Sequence, residues 1–279
     1  MERNSGLFTN VQVGMMPPQE AYLEMSLADS LATGGHLRAV ETTGPFVDLD
    51  KPWHLLMANA GAAELLCAEL TDNETADGAA IHESADIQGH VRLGPGSRIG
   101  RNVVIRGNAV VGANTVIDNG AVLGGTNVVG DNCRIRDYCS VGRGSVVGND
   151  CVVQSGAELS GMIMDGVYLY HYMEFSGIAG QSSDLGAATV CGTLRFDDGE
   201  STHRVTGRRE VPTAFANATY LGDFTRTGVN AIIMPGCKTG VYSVVGPGVV
   251  LTEDLPNRTM VTLKQELQYR EWGPERYGW

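Results

Sequence analysis

The sequence predicts a mainly β protein: a parallel β-helix of hexapeptide repeats preceded by a small α/β cap. Three observations carry this. From Ile81 to Met164 an aliphatic residue recurs at every sixth position, through Ile81, Ile87, Leu93, Ile99, Ile105, Val111 and Ile117 to Val153 and Leu159. Four positions after each stands a second residue that is usually small, such as Ala85, Ser97, Thr115, Cys133 or Ala157. In seven of these hexads Gly follows the aliphatic residue directly, as in Leu93-Gly94 and Val147-Gly148. A six-residue beat does not match the 3.6-residue helical turn, and a flat sheet has no need of such regular Gly. The period is the signature of a β-helix.

The spacing dictates the geometry. Each hexad supplies a short strand and a corner, so three hexads close a triangular coil of eighteen residues. Residues eighteen apart then stack, and Ile81, Ile99, Ile117, Ile135 and Val153 form one internal ladder. Adjacent coils lie about 4.8 Å apart, the ordinary strand spacing. This block alone makes between four and five coils, and its corners need the tight turns that Gly, Asn and Asp provide.

Ahead of the repeats, Pro17 to Ala32 reads as a helix, Leu37 to Thr43 as a strand, and Pro52 to Leu70 as a second helix. The net charge of −12 with no basic run argues against nucleic acid and anionic membranes as partners. The N-terminal stretch lacks the apolar core of a signal peptide, and no segment is long and apolar enough to span a membrane, so a cytoplasmic location is expected. None of the six cysteines has metal-type C-x-x-C spacing. Cys133, Cys139, Cys151 and Cys237 fall on small internal positions and are expected to be buried, reduced thiols.

The beat fails over 165–177, resumes at Ile178 and at Leu185, and fails again over 191–220. From Leu221 to Pro256 six further hexads are in step. The two breaks are expected to be loops outside the coil, where function is usually carried. The expected domains are a cap over 1–80, a β-helix over 81–256 with excursions 165–177 and 191–220, and a tail over 257–279.

Particular segments also carry a family resemblance. The stretch from Leu27 to Val40, with Asp48-Leu-Asp-Lys-Pro-Trp-His-Leu-Leu-Met-Ala-Asn59, resembles the junction that closes sugar-phosphate nucleotidylyltransferase domains. The Gly-rich phosphate loop of such a domain is not in this sequence, so residues 1–80 are expected to be a remnant that caps the open end of the coil. With LGAATVCGTLRFDD, GRRE and the tail KQELQYREWGPERYGW, the chain from about residue 20 resembles the C-terminal half of archaeal-type bifunctional sugar-1-phosphate nucleotidylyltransferase/acetyltransferases. The resemblance implies a left-handed coil, a homotrimer with sites between subunits, and acetyl transfer from acetyl-coenzyme A, without a metal. His171 stands at the position of the family's general base, a role that fits an imidazole titrating near neutrality. Ala187, Val229 and Pro247 stand at turns that line the groove for the pantetheine arm.

The acceptor positions depart from the family pattern. Glu174, Asp184, Thr193 and Glu210 stand where the family has Tyr, two Asn and Lys, and Arg195 lies beside Thr193. Three of the four substituted positions are acidic, and carboxylates repel a phosphate. The expected activity is therefore acyl-coenzyme A-dependent N-acylation of a small amine other than a hexosamine phosphate. Two alternatives stand beside it: acetylation of an amino-sugar phosphate, and a non-catalytic scaffold or regulatory trimer. A metalloenzyme on the same coil would need three converging His, and His36, His54, His82, His90, His171 and His203 include no suitably spaced pair.

Overall fold

The computed structural model describes residues 3–4, 19–20, 23–205 and 207–276, with side chains from 25 onward. Two compact units divide the chain, Met1–Pro45 and Phe46–Trp279. In the first, helix α1 spans Leu23–Ala32, and the short strands Arg3–Asn4 and Gln19–Glu20 pair antiparallel. Of the helix expected over Pro17 to Ala32, Leu23–Ala32 is helical and Gln19–Glu20 is a strand, while 17–18 and 21–22 lie outside the described residues. The strand expected over Leu37 to Thr43 does not form: these residues have no regular structure and are exposed, with no partner edge to satisfy them.

The second unit is a three-faced parallel β-solenoid. On the first face ten strands stack, from Ala80–Ile81 to Met260–Val261. Ile99 pairs with Ile117, Ile117 with Ile135 and Ile135 with Val153, so the eighteen-residue register predicted from the sequence is the one observed. The second face carries the column of Ile87, Ile105 and Leu123, and the third that of Leu93, Val111 and Val129. All of these but Ile87 are buried, and Ile87 packs against the same core.

The small internal residues close the backbone accounting at one corner. Thr115 Oγ1 donates to Gly130 O at 2.8 Å and accepts from Cys133 N at 2.9 Å. Cys133 and Cys151 stand in the same column, and each Sγ contacts a carbonyl of the next coil at 3.0 Å, Gly148 O and Met164 O. Here cysteine takes the place of Ser or Thr. All six cysteines are free and buried, and burial pushes Cys139 and Cys191 up to about 12. Asn127, fully buried, is likewise satisfied: its Nδ2 donates to Gly142 O and Ser145 O, and Gly125 N donates to its Oδ1.

The break over 165–177 is not an excursion. Val153 pairs with Leu169 and Leu159 with Phe175, sixteen positions on instead of eighteen, and the coil continues without a loop. The second and third faces meet in continuous strands, Glu158–Ile163 and Glu174–Ala179. The corner is turned at Gly161 and Gly177, whose φ values of +115° and +139° are closed to other L-residues. Two residues are saved per coil, so the beat slips phase without stopping.

The break over 191–220 is a true excursion. Ala179 pairs next with Leu221, and between them an antiparallel hairpin, His203–Val205 with Arg208–Glu210, stands off the coil. The β-helix also extends beyond its expected bounds of 81 and 256. Glu74–Thr75 pairs onto the first coil, and Met260–Val261 joins the last after another sixteen-residue step. An exposed Glu-Thr strand and a shortened coil leave no sixfold signature in the sequence.

Helix α2, Pro52–Ala68, does not sit across the open end of the coil. Trp53 and Leu56, near its N-terminus, pack against Ile178, Ala218 and Tyr220, while Asn108 donates to Cys67 O at 2.7 Å near its C-terminus. The helix therefore runs lengthwise along the third face, covering a sheet face where an end cap had been expected. No helix among the described residues is long and apolar enough to cross a membrane.

Candidate active site

His171 lies at the corner between the first and second faces, directly after the strand Tyr168–Tyr170. It and Tyr172 both adopt left-handed φ, 64° and 56°. The register continues upward from this point: Leu169 pairs with Leu185, Leu185 with Thr227 and Thr227 with Val245. Two residues after each stand His171, Ala187, Val229 and Pro247. The corner hydrogen bonds follow the same order: Ala188 N donates to His171 O, Asn230 N to Ala187 O and Gly248 N to Val229 O. The expected base and the three expected donor-side residues thus form one column on successive coils, each step about 4.8 Å.

Above the imidazole the column carries only the short side chains of Ala187, Val229 and Pro247. Gly186, Gly228 and Gly246 precede Ala187, Val229 and Pro247. At Gly186 and Gly228 a Cβ would meet the next coil's backbone at 2.6 and 2.4 Å, so coil packing itself requires glycine. The result is a strip with little side chain, three coils high, starting at His171. Below, Tyr172 lies over Gly156 and Tyr138 over Gly120, each ring within about 3 Å of where a glycine Cβ would be. Both tyrosines are about four-fifths exposed. His171 is exposed, and its ring meets Tyr170 edge-on at 4.6 Å.

Carboxylates flank this corner on both faces. Asp184 accepts a long hydrogen bond from Tyr170 OH at 3.5 Å. Burial first, and the Asp184 charge second, raise the Tyr170 pKa. Arg226 pairs with Asp184 on the next coil. On the other flank Glu174 pairs in register with Glu158 one coil below, and both are exposed. Glu158 was not singled out from the sequence. Its sequence signal is the echo of ELSGMI in EFSGIA sixteen residues on, which is out of phase with the period of six.

The remaining expected acceptor residues lie elsewhere in the chain. Thr193 and Arg195 leave the coil at the corner between the second and third faces, one face away and roughly 15 Å by strand rise. Arg195 is held by Asp197 through Nε and Nη2 at 2.9 and 2.8 Å. Glu210 sits on the hairpin, 3.1 Å from Lys51 Nζ. Within the chain the structure therefore brings His171, Glu174 and Asp184 together and leaves Thr193, Arg195 and Glu210 apart.

The hairpin itself is anchored by His203, which is fully buried beside Trp53 and Tyr220, at ring distances of 5.3 and 5.6 Å. His203 Nε2 donates to Ala216 O at 2.6 Å, while Nδ1 faces Lys238 Nζ at 3.4 Å. Burial lowers its pKa, and the neighbouring Lys238 charge acts in the same direction. Among the described residues no group of three His, Cys, Asp or Glu is placed to hold a metal ion.

The solenoid is the left-handed parallel β-helix of the hexapeptide-repeat proteins. A solved UDP-N-acetylglucosamine acyltransferase from Campylobacter jejuni superposes with a TM-score of 0.51 at 22% identity, over 63% of this chain and 68% of that one. Residues 75–167 match the family described as the GMPPB C-terminal domain.

The chain's sequence relatives are bifunctional sugar-1-phosphate nucleotidylyltransferase/acetyltransferases, and it corresponds to their C-terminal half. One such protein, from Sulfurisphaera tokodaii, is 35% identical over 96 residues, 34% of this chain and 24% of that protein. The bifunctional protein GlmU of Methanococcus maripaludis is 29% identical over 256 residues, 91% of this chain and 56% of that protein. The chain thus spans only about half, or less, of the relatives it matches.

Proposed function

We propose that the protein is an acyl-coenzyme A-dependent N-acyltransferase, acetyl being the expected group, with His171 as general base. The observation that carries the reading is the column in which His171 stands at the foot of a strip of short side chains, Ala187, Val229 and Pro247. A thin, extended thioester arm fits such a strip, and its carbonyl would end near the imidazole. The acceptor amine attacks the thioester carbonyl carbon and the C–S bond breaks. The amine proton passes to His171, and the leaving sulfur takes up a proton to depart as the thiol. No covalent enzyme intermediate is needed, since positioning and stabilisation of the oxyanion can supply the remaining rate.

The acceptor is a small, positively charged amine, not a hexosamine phosphate. Glu158, Glu174 and Asp184 support this, because three carboxylates around one corner favour a cation and repel a phosphate. A single protomer presents only one wall of this groove, and the second wall comes from a neighbouring subunit of a homotrimer. That arrangement gives Thr193, Arg195 and Glu210 a route back to the site from an adjacent chain.

An acceptor panel with acetyl-coenzyme A tests the specificity. Diamines and amino-acid-like amines should be acetylated in preference to glucosamine 1-phosphate. A preference for the hexosamine phosphate would favour the amino-sugar reading that the relatives' names suggest, and would remove the cationic acceptor.

A further inference from the structure

The corner of His171 can be followed down the solenoid by its hydrogen bonds. Tyr172 N donates to Ser155 O, Gly156 N to Asp137 O and Tyr138 N to Asn119 O. The corner pairs on successive coils are therefore His171-Tyr172, Ser155-Gly156, Asp137-Tyr138 and Asn119-Gly120. A His-Tyr pair above a glycine is followed, two coils lower, by an Asp-Tyr pair above another glycine. Tyr138 carries this pattern into the regular eighteen-residue coils.

The second residue of each pair has left-handed φ, 56° at Tyr172 and 60° at Tyr138. Asn102 and Asn230, at the same corner, tolerate that conformation, whereas a tyrosine is strained by it. Tyr242, at another corner, has φ 56° but stacks on Phe224 with ring centroids 4.6 Å apart. Tyr138 and Tyr172 gain no such contact. Both are about four-fifths exposed, and neither side chain has an aromatic or hydrogen-bond partner among the described residues. The glycine below is nevertheless matched to each ring: a Cβ would stand 2.8 Å from the Tyr138 ring at Gly120 and 3.0 Å from the Tyr172 ring at Gly156. Two strained, exposed rings, with room made beneath them, are free to meet a ligand.

The corner is also acidic. Besides the carboxylates around His171, Asp137 stands two coil steps below it, about 10 Å. Asp137 Oδ1 accepts from Asn119 Nδ2 at 2.8 Å, and the carboxylate has no ion pair among the described residues. Arg136, its neighbour, is turned onto the first face, where Nη2 donates to Gln154 Oε1 at 3.0 Å.

We propose that Tyr172, Asp137 and Tyr138 are specificity-determining residues that extend the acceptor site down this corner, and that the acceptor is a linear polyamine. As an acceptor subsite it rests on acyl transfer at His171, where one end of the chain presents its amine. The ammoniums that do not react lie over the Tyr172 ring one coil down, and beside Asp137 and Tyr138 two coils down. The faces of the rings attract cations, and the methylene spacers cover their apolar surface. A triamine such as spermidine spans both steps, while 1,4-diaminobutane reaches only Tyr172.

Steady-state acetylation by the full chain, with spermidine and 1,4-diaminobutane as paired acceptors, tests it. Spermidine should have a kcat/KM at least tenfold higher. Tyr138→Ala should lower kcat/KM for spermidine at least fivefold more than for 1,4-diaminobutane, through KM and not kcat. Tyr138→Phe, which keeps the ring face, should restore the spermidine value. Tyr138→Gly relieves the strained φ, so without ligand its melting temperature should not fall below that of the wild type; a lower one would make the ring part of the fold and overturn the proposal. Equal losses with both amines, or no preference for spermidine, overturn it as well. So does dissociation of the Tyr138→Ala assembly, which would assign the ring to a contact between copies. If neither amine is acetylated, acyl transfer at His171 is ruled out and calorimetric binding of spermidine judges the subsite. At least fivefold weaker binding to Tyr138→Ala then upholds it, and equal binding or none overturns it.

Discussion

The coils before Leu159 and those after it are made from the same hexad, yet they differ in what they leave available. In the first block eighteen residues close every coil, and each inward position is filled by an aliphatic or a satisfied small residue. In the second block two sixteen-residue steps lead to the coil that carries the hairpin, and one step of eighteen and a last of sixteen follow it. His171, Glu174 and Asp184 all lie where the period has changed, and the hairpin lies where it is interrupted. The comparison separates scaffold from site: the regular coils supply a rigid frame, and irregular ones present side chains that the frame does not consume.

Substitutions can break this contrast, and the largest expected effect is in the regular block. Ile135 is fully buried in its ladder, so Ile135→Ala should cost about 2–5 kcal/mol, read from the denaturant midpoint. In the shortened coils the sensitive positions are corners. Gly177→Ala would put a Cβ 1.8 Å from Thr219 O at φ +139°, and about 3 kcal/mol of destabilisation is expected. Gly144 also has left-handed φ, +72°, but nothing lies near its Cβ position, so Gly144→Ala should cost only about 1 kcal/mol. Equal losses at Gly144 and Gly177 would show that the shortened corners are not special.

Acid should act on the interrupted coil. His203 is held neutral, with its pKa below the ordinary value of 6.5, so the unfolded chain binds its proton first as pH falls. Its contribution is complete above that ordinary value and is lost progressively below it, levelling off once the folded pKa is passed. The groups facing His203 are Lys238, Asp254 and Tyr220, with Glu210 across the hairpin and Lys51 beyond it. A His203→Gln variant keeps a donor for Ala216 O and should show a shallower loss of stability between pH 7 and pH 5 than the wild type; identical pH profiles would place the acid sensitivity elsewhere.

The same contrast explains what the sequence could reveal. The ladder from Ile81 to Leu159 was legible because aliphatic side chains recur wherever the backbone turns inward. The sixteen-residue coils were not, because one glycine in a rare conformation replaces a whole corner and shifts the phase, so 165–177 read as a loop. The added strand Glu74–Thr75 is exposed and has no aliphatic residue to report it. The position of α2 was hidden for a different reason: it packs through Trp53 and Leu56 on an outer sheet face, and nothing in its own pattern names that face. At the site, Ala187, Val229 and Pro247 could be aligned with His171 from the resemblance, and the register stacks them. Glu158 required knowing which residue lies beneath Glu174. Glu210 lies apart from His171 within the chain, paired with Lys51, a partner far away in sequence that no local pattern announces.

The central claim is that the His171 column is a site of acyl transfer. Its most direct test is acetyl transfer from acetyl-coenzyme A to a cationic amine, compared between the wild-type protein and His171→Ala, with oligomeric state followed in parallel. Measurable turnover is expected in the wild type and a loss of about 10²- to 10⁴-fold in kcat in the variant, the range for removing a general base, with the assembly unchanged. Near-normal turnover in His171→Ala, or no acetyl transfer to any amine by the wild type, would contradict it.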